Sequence, residues 1–282
     1  MSLVFGAILP HGPEVVSELA EDPAVMAETR AAMEEAGRRL AAAGIDTLIL
    51  IDPQWVHAQN KFATRSLFSG KGGISVGVAA HVAGTLVGDS PDRFECDVPL
   101  AQEILDAGRE ASLPVEPASG EAGELPLAWG ALIPLWFTLR PMAAPRPQLV
   151  VIAPSPGVAR EELVRFGSLL AELARNSGKR VALIASADQG HTHDPDHERF
   201  GFSPASAQYD ALYCKAVSEG RFDSLLSVSD QMLKDSWSDS LWQTLILAGA
   251  LRVVPMAVDF LSYAVPTYYG MVVAVYEPST SS

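Results

Sequence analysis

Short apolar runs that end at Pro, Gly or a polar residue recur along the chain. Such runs at residues 3–9, 45–51, 149–153 and 180–185 have the length and composition of buried strands. Segments with helical periodicity lie between them, the clearest at residues 160–176. Alternation of strand and helix favours parallel strand pairs covered by helices. The sequence therefore predicts an α/β fold with a central, mostly parallel (mixed) sheet flanked by helices.

The chain of 282 residues is 48% hydrophobic and 19% charged, which indicates a globular protein with ample material for a core. The Pro-rich residues 141–147 have only the length of an ordinary loop, so we predict one domain over residues 1–282. Residues 114–125, rich in Glu, Gly and Pro, are expected to form a loop. Residues 126–137 are expected to form a buried helix or wall, with Trp129 in the core.

The charge balance limits the partners of the protein. A net charge of −14 and a pI near 4.8 argue against the basic face that nucleic acids or an anionic membrane surface require. The two cysteines, Cys96 and Cys214, lie far apart and outside any metal-type spacing, so we expect no disulfide and a reducing cytoplasm. The N-terminus lacks the basic region of a signal peptide, and the longest apolar stretch, residues 244–258, is too short to span a membrane.

Residues 185–197 hold three of the six histidines and directly follow one of the predicted strands. Ligands of open α/β sheets bind beyond the carboxyl ends of the strands. Histidine at such a place can carry protons near neutral pH or bind a metal. We therefore predict His191 and His193 as the catalytic residues, and we expect His197 at the surface.

Two other histidines follow predicted strands. His11 stands in a Pro and Gly turn just past residues 3–9, and His57 follows residues 45–51. Asp239 lies at the polar start of the helical segment 235–251, where it either caps the helix or points out of the helix end towards a site.

Two imidazoles and one carboxylate are the ligand set of the non-haem Fe(II) oxygenases, which leaves open positions on the metal. We therefore predict His11, His57 and Asp239 as metal ligands. Zinc can occupy the same set and activate water, so the ligands alone do not name the reaction. His191 is then the acid/base residue, because its ordinary pKa lies near the operating pH. His193, two residues on, is predicted to contact the substrate or to support His191.

Several motifs, in chain order, resemble those of the class III extradiol dioxygenases, the superfamily of the LigB-type catalytic subunit of aromatic ring-opening dioxygenases. The resemblance covers nearly the whole chain. It implies a single α/β domain, an Fe(II) site, a small aromatic substrate with dioxygen, and usually a homodimer, with the need for a second subunit left open. The motifs are residues 8–12 (Ile-Leu-Pro-His-Gly), 52–55 (Asp-Pro-Gln-Trp), 185–191 (Ala-Ser-Ala-Asp-Gln-Gly-His) and 245–251 (Leu-Ile-Leu-Ala-Gly-Ala-Leu).

Carried over by position, His11 matches the first metal histidine of the family and His191 its catalytic histidine, while Asp239 falls near its carboxylate ligand, commonly Glu. The chain departs from the family pattern at two places. Gln54 stands where the family often has its second metal histidine, so either His57 or the amide oxygen of Gln54 completes the ligand set. Trp129 stands where the family often has a histidine that contacts dioxygen or substrate.

These observations predict an Fe(II)-dependent extradiol dioxygenase that cleaves the aromatic ring of a catechol or aminophenol-type substrate. Two alternatives remain open. The chain is either a non-catalytic LigB-like relative, serving as a regulatory or partner-binding subunit, or a zinc hydrolase that uses the same pocket.

Overall fold

A computed structural model of the protein describes residues 2–53, 72–120 and 123–279. The helices in these ranges are α1 (Ala27–Ala42), α2 (Val98–Glu110), α3 (Trp129–Phe137), α4 (Arg160–Asn176), α5 (Pro204–Ser218), α6 (Asp223–Leu226), α7 (Asp230–Ser236) and α8 (Leu241–Val253). The strands are β1 (Leu3–Leu9), β2 (Thr47–Ile51), β3 (Ile74–Gly77), β4 (His81–Gly84), β5 (Asp92–Glu95), β6 (Val115–Ala118), β7 (Glu124–Pro126), β8 (Gln148–Pro154), β9 (Val181–Ser186), β10 (Ala257–Ala264) and β11 (Met271–Glu277).

A large mixed sheet runs through the middle of the molecule in the order β10-β11-β1-β9-β2-β8-β3-β6. Its central strands β1, β9, β2 and β8 are parallel to one another, whereas β11 pairs antiparallel with both β1 and β10. A smaller sheet has the order β5-β4-β7. The prediction of an α/β domain with a mostly parallel, mixed sheet is confirmed.

The large sheet separates two hydrophobic cores. Alternate residues of β2 face opposite sides, with Ile49 and Ile51 in one core and Leu48 and Leu50 in the other. Helices α2, α4, α5 and α8 contribute to the first core. Helices α1 and α3 and the smaller sheet contribute to the second. Both faces of the central strands are therefore covered, which explains why their sequences are continuously apolar.

Two expectations about residues 114–137 were wrong. The predicted loop at residues 114–125 contains β6 and β7. Pro117 is tolerated in β6 because that strand lies at the edge of the sheet, where a missing N–H breaks no ladder. Trp129, expected in the core, is the first residue of α3, and 52% of its surface is exposed.

The helical segment after residue 235 is interrupted. Helix α7 ends at Ser236, Trp237 adopts a left-handed conformation with φ of 51°, and α8 begins only at Leu241. Asp239 therefore lies in a short connection between two helices. Within the described ranges, no helix has the length and apolarity needed to cross a membrane.

Candidate active site

The carboxyl ends of β1 and β9 bring the first site residues together. The parallel register pairs Leu9 with Ser186, so His11 and Asp188 each lie two residues beyond that pair. The backbone N–H of His11 donates to Oδ1 of Asp188 at 2.9 Å. The backbone N–H of Asp188 in turn donates to Oδ1 of Asp239 at 3.2 Å. Strand ends and the start of α8 thus converge on one buried cluster of polar side chains.

The imidazole of His11 is held at both of its nitrogens. Its Nε2 lies 3.3 Å from Oδ2 of Asp239 and 3.4 Å from Oδ2 of Asp188. Its Nδ1 lies 2.9 Å from Oγ of Ser186, and that hydroxyl donates its only hydrogen to the carbonyl oxygen of Gly130. Ser186 must therefore accept from Nδ1–H, an assignment that rests on the hydrogen-bond pattern. Nε2 is then the nitrogen that faces the two carboxylates, and its proton is the one that a metal would replace, as in a histidine ligand oriented by a partner on its other nitrogen.

The charges in this cluster shift the pKa of each member. Burial works to lower the pKa of His11, but the carboxylates of Asp188 and Asp239 outweigh it and raise that pKa to about 10. Burial also opposes ionisation of Asp239, yet the charge and hydrogen bond of His11 lower the pKa of that carboxyl. For Asp188, burial prevails over the charge of His11, and the pKa is raised with a further contribution from Asp239. The cluster therefore retains positive charge at Nε2 of His11.

These donors fit part of a metal site. An imidazole nitrogen and carboxylate oxygens are ligands that both Fe(II) and Zn accept, and a cation at Nε2 of His11 would replace the proton held there. Among the described residues, however, no three His, Cys, Asp or Glu side chains are arranged as an ion-binding group. The third predicted donor, His57 or Gln54, lies outside the described residues, so its role stays a prediction.

His191 lies next to this cluster. Its backbone N–H donates to the carbonyl oxygen of Ser236 at 2.7 Å, and its ring is stacked on Tyr269 with centroids 5.5 Å apart. Burial raises the pKa of Asp239, and His191 is close enough to add to the larger, opposite effect of His11, which lowers it. Its Nδ1 is buried and has no hydrogen-bond partner within the described part of the chain. Nδ1 of His191 therefore makes no structural hydrogen bond in this part of the chain. A proton carrier needs such a nitrogen, which can accept a proton and release it again.

The family of the catalytic LigB subunit of aromatic ring-opening dioxygenases matches residues 6–274, a range that includes His11, His191 and Asp239. The chain belongs to this family. No curated protein matches it. The crystal structure of an uncharacterized protein from Escherichia coli is similar, with a TM-score of 0.60 and 14% sequence identity over 96% of this chain and 99% of that one. At that identity the likeness shows a shared fold.

Asp239 does not cap a helix in this LigB-family chain. The N-cap position of α8 is Ser240, which makes no side-chain capping bond, and Asp239 precedes it. Both carboxylate oxygens of Asp239 are directed into the cluster instead, one towards the backbone of Asp188 and one towards His11. Gln243, one turn into α8, donates to the backbone oxygens of Asp239 and Ser186 and fixes the helix start against β9.

His193 is bound to helix α5. Its Nε2 lies 2.9 Å from Oδ2 of Asp210, a buried carboxylate that also accepts a hydrogen bond from the hydroxyl of Tyr263 at 2.8 Å. The side-chain hydrogen bond of His193 is therefore made to a carboxylate that holds the fold together. Its predicted role beside the substrate stays a prediction.

His197, expected at the surface, is only partly exposed. It is half-buried, and its ring centroid lies 3.9 Å from that of Tyr268 and 5.2 Å from that of Phe200. It belongs to an aromatic cluster that adjoins His191 and that we define as His197, Phe200, Trp237, Tyr268 and Tyr269. The members come from separate segments with no common period, so the sequence pattern could not reveal the cluster.

Sequence reasoning gave no role to Ser186 and Asp188. Ser186 ends the apolar run of β9 and reads as a small strand residue, although it orients the ring of His11. Asp188 could have been found, because His11 and Asp188 occupy equivalent places after two parallel strands that turned out to be neighbours. The missing information was the order of the strands.

Proposed function

We propose that this LigB-family chain is an Fe(II)-dependent extradiol dioxygenase that opens the ring of a catechol or aminophenol-type substrate. The observation that carries the proposal is the buried Nε2 of His11, oriented by Ser186 and facing the carboxylates of Asp188 and Asp239. Membership of a family of ring-opening dioxygenase subunits supports it. We further propose a homodimer, with a reducing cytoplasm as its location.

His11 and Asp239 would hold the iron, with His57 or Gln54 as the third protein donor. When bound there, Fe(II) would supply adjacent open positions for dioxygen and for the two ring substituents of the substrate. Ser186 keeps Nε2 of His11 available by holding the proton on Nδ1. One carboxylate ligand and two neutral donors leave the site with a net positive charge, which favours a substrate bound as an anion.

The substrate must lose a hydroxyl proton to bind as an anion, and His191 is the group that accepts it. His191 is placed for this role by its position beside the cluster, within electrostatic range of the carboxyl groups of Asp188 and Asp239. Tyr269 keeps the ring of His191 in one plane by stacking on it. The proton is returned to the opened product, so that His191 ends the cycle in its starting state.

Anaerobic reconstitution tests the proposal. Protein loaded with Fe(II) is mixed with oxygen and with catechols or 2-aminophenols, and the ring-opened product is followed by its absorbance. We expect product from the wild-type chain and none from His11→Ala or Asp239→Ala. Asp196→Ala, at an exposed aspartate of the same histidine-rich stretch, is the matched control.

Three results separate the open alternatives. Iron that binds without ring opening on any substrate of the panel would identify a non-catalytic relative, a possibility motivated by the exposed Trp129 in place of a family histidine. Equal turnover with zinc and without oxygen would identify a hydrolase. Ring opening that requires both Fe(II) and oxygen supports the proposed dioxygenase.

A further inference from the structure

One face of α5 holds the segment that carries His191. Ser206 and Asp210, four residues apart on this helix, are both buried and lie on the same face. Oδ1 of Asp210 accepts from the backbone N–H of Gly190 at 2.8 Å, and Oγ of Ser206 accepts from that of Thr192 at 2.9 Å. The backbone N–H groups before and after that of His191 are therefore each held by one side chain of α5, Gly190 by Asp210 and Thr192 by Ser206.

We call Ser206 and Asp210, with the groups hydrogen-bonded to them, the support of His191. The backbone N–H of His191 is also part of this support. It donates to the carbonyl oxygen of Ser236, and that oxygen also accepts a hydrogen bond from the hydroxyl of Ser206 at 3.2 Å. Three consecutive backbone N–H groups thus have fixed acceptors. A segment held in this way has little freedom to move its central side chain.

Close packing leaves no room for adjustment around this support. A Cβ added to Gly190 would overlap the side chain of Ser206, and one added to Gly270 would overlap the carboxylate of Asp210. The carbonyl oxygen of Gly190 accepts from the N–H of Gly270 at 2.9 Å, which joins the segment to the residues just before β11. Both glycines are required here for close approach of the backbone.

The second oxygen of Asp210 explains the position of His193. Oδ2 accepts from Tyr263 on β10 and from Nε2–H of His193. A buried carboxylate needs its hydrogen bonds satisfied, and these two donors with Gly190 supply three. His193 is therefore a partner of Asp210 within the support.

We propose that Asp210 and Ser206 are positioning residues for the proton-carrying His191, and that His193 acts through Asp210 without exchanging a proton with the substrate. The inference rests on the proposed function of His191. Displacement of a reacting group by about 1 Å can cost on the order of 100-fold in rate, so loss of this support reduces turnover while leaving metal and substrate binding largely intact.

A comparison of His193→Gln with His193→Ala tests this assignment. The glutamine amide can still donate to Asp210 but cannot titrate. We expect His193→Gln to keep kcat within about 3-fold and to leave the pH profile of kcat/KM unchanged, because the support needs only a donor. We expect His193→Ala to lower kcat by about 10-fold or more with little change in KM, as a misplaced His191 requires. A glutamine variant as inactive as His191→Gln would overturn the proposal, because it would show that the proton of His193 is needed.

A second pair of variants, at Asp210, tests the acceptors that helix α5 supplies. Asp210→Asn retains an oxygen for Gly190, and its amide hydrogens can be accepted by Tyr263 after hydroxyl rotation and by the other tautomer of His193. Asp210→Ala removes every acceptor. We expect kcat of the asparagine variant to lie near wild type and that of the alanine variant to fall by about 100-fold. If the alanine variant does not fold, Ser206→Ala replaces it, with the smaller loss expected from one missing acceptor.

A readout without turnover separates this inference from the proposed function. The ¹⁵N-histidine NMR spectrum of the zinc-loaded protein reports the ring of His191 directly, with His191→Gln and His193→Gln used for assignment. We expect the His191 signals to shift or broaden in Asp210→Ala or Ser206→Ala and to stay near wild type in His193→Gln. Unchanged His191 signals in a folded variant that lacks an acceptor would overturn the positioning role, even if no substrate of the wild-type chain were known.

Discussion

Replacing Ser186 with alanine is the perturbation that probes the arrangement of His11 most specifically. Oγ of Ser186 accepts from Nδ1–H of His11 and donates to the carbonyl oxygen of Gly130, and all of these groups are buried. The alanine variant leaves a buried donor and a buried acceptor without their partner. A buried group left unsatisfied in this way costs about 1–3 kcal/mol of folding free energy.

The effect on metal affinity follows from the same hydrogen bond. With no acceptor at Nδ1, the His11 ring can hold its proton on Nε2, which blocks the nitrogen that would bind the metal. Removal of the group that orients a metal-binding histidine typically costs 10–100-fold in metal affinity, or about 1.4–2.7 kcal/mol. We therefore expect the Kd for Fe(II) to rise by about that factor in Ser186→Ala.

An anaerobic titration against a chromophoric chelator measures that Kd. Ser75→Ala is the matched control, because Ser75 is also a buried strand serine whose hydroxyl donates a hydrogen bond, in this case to Glu116 on the neighbouring strand β6. Strands β2 and β8 separate its strand, β3, from β9 and the site. The control is expected to lose some stability and no metal affinity. A Ser186→Ala protein that binds Fe(II) as tightly as wild type, alongside a His11→Ala protein that does not bind it, would refute the role given to Ser186.

Three further predictions concern protons and ligands. The affinity for Fe(II) is expected to rise about tenfold per pH unit from neutral pH towards pH 10, because a proton with a pKa of about 10 must leave His11, and a flat titration would contradict this. Hydrogen bonds from Lys179, Thr47 and a backbone amide overcome burial and lower the pKa of Asp97. Asp97→Asn is therefore expected to lower the free energy of unfolding by about 1–3 kcal/mol near neutral pH. The difference from wild type should shrink below about pH 4, because the wild-type carboxyl is then protonated as well, and urea unfolding at two pH values measures it. Metal content of His57→Ala and Gln54→Ala should fall in one variant alone, which identifies the third donor.

The central strands were predictable because their sequences carry two signals at once. Burial on both faces makes β1, β2, β8 and β9 continuously apolar, and each is closed by Pro, Gly or a polar residue. The periodicity of α4 was equally clear, and its predicted bounds, residues 160–176, agree with the structure. Edge strands lack both signals. The Pro in β6 and the half-exposed residues of β7 resemble a loop when their neighbours are unknown.

The candidate site was predictable only as a set of strand ends and a resemblance. His11 and Asp239 are 228 residues apart in sequence, and the fold places their side chains 3.3 Å from each other. The partners that tune and hold the predicted groups, Ser186, Asp188 and Asp210, were not found, because each acts across an interface between elements. Pairwise register and helix packing determine those contacts, and neither is encoded in a local pattern.

Oxygen stoichiometry is the measurement that tests the central claim most directly. Fe(II)-loaded protein is supplied with a catechol that it turns over, while an oxygen electrode and mass spectrometry follow the reaction. The account predicts one O₂ consumed per ring opened and a product heavier than the substrate by one O₂, both lost in Asp239→Ala. A product formed without oxygen uptake, or one heavier by water, would contradict ring-opening dioxygenation.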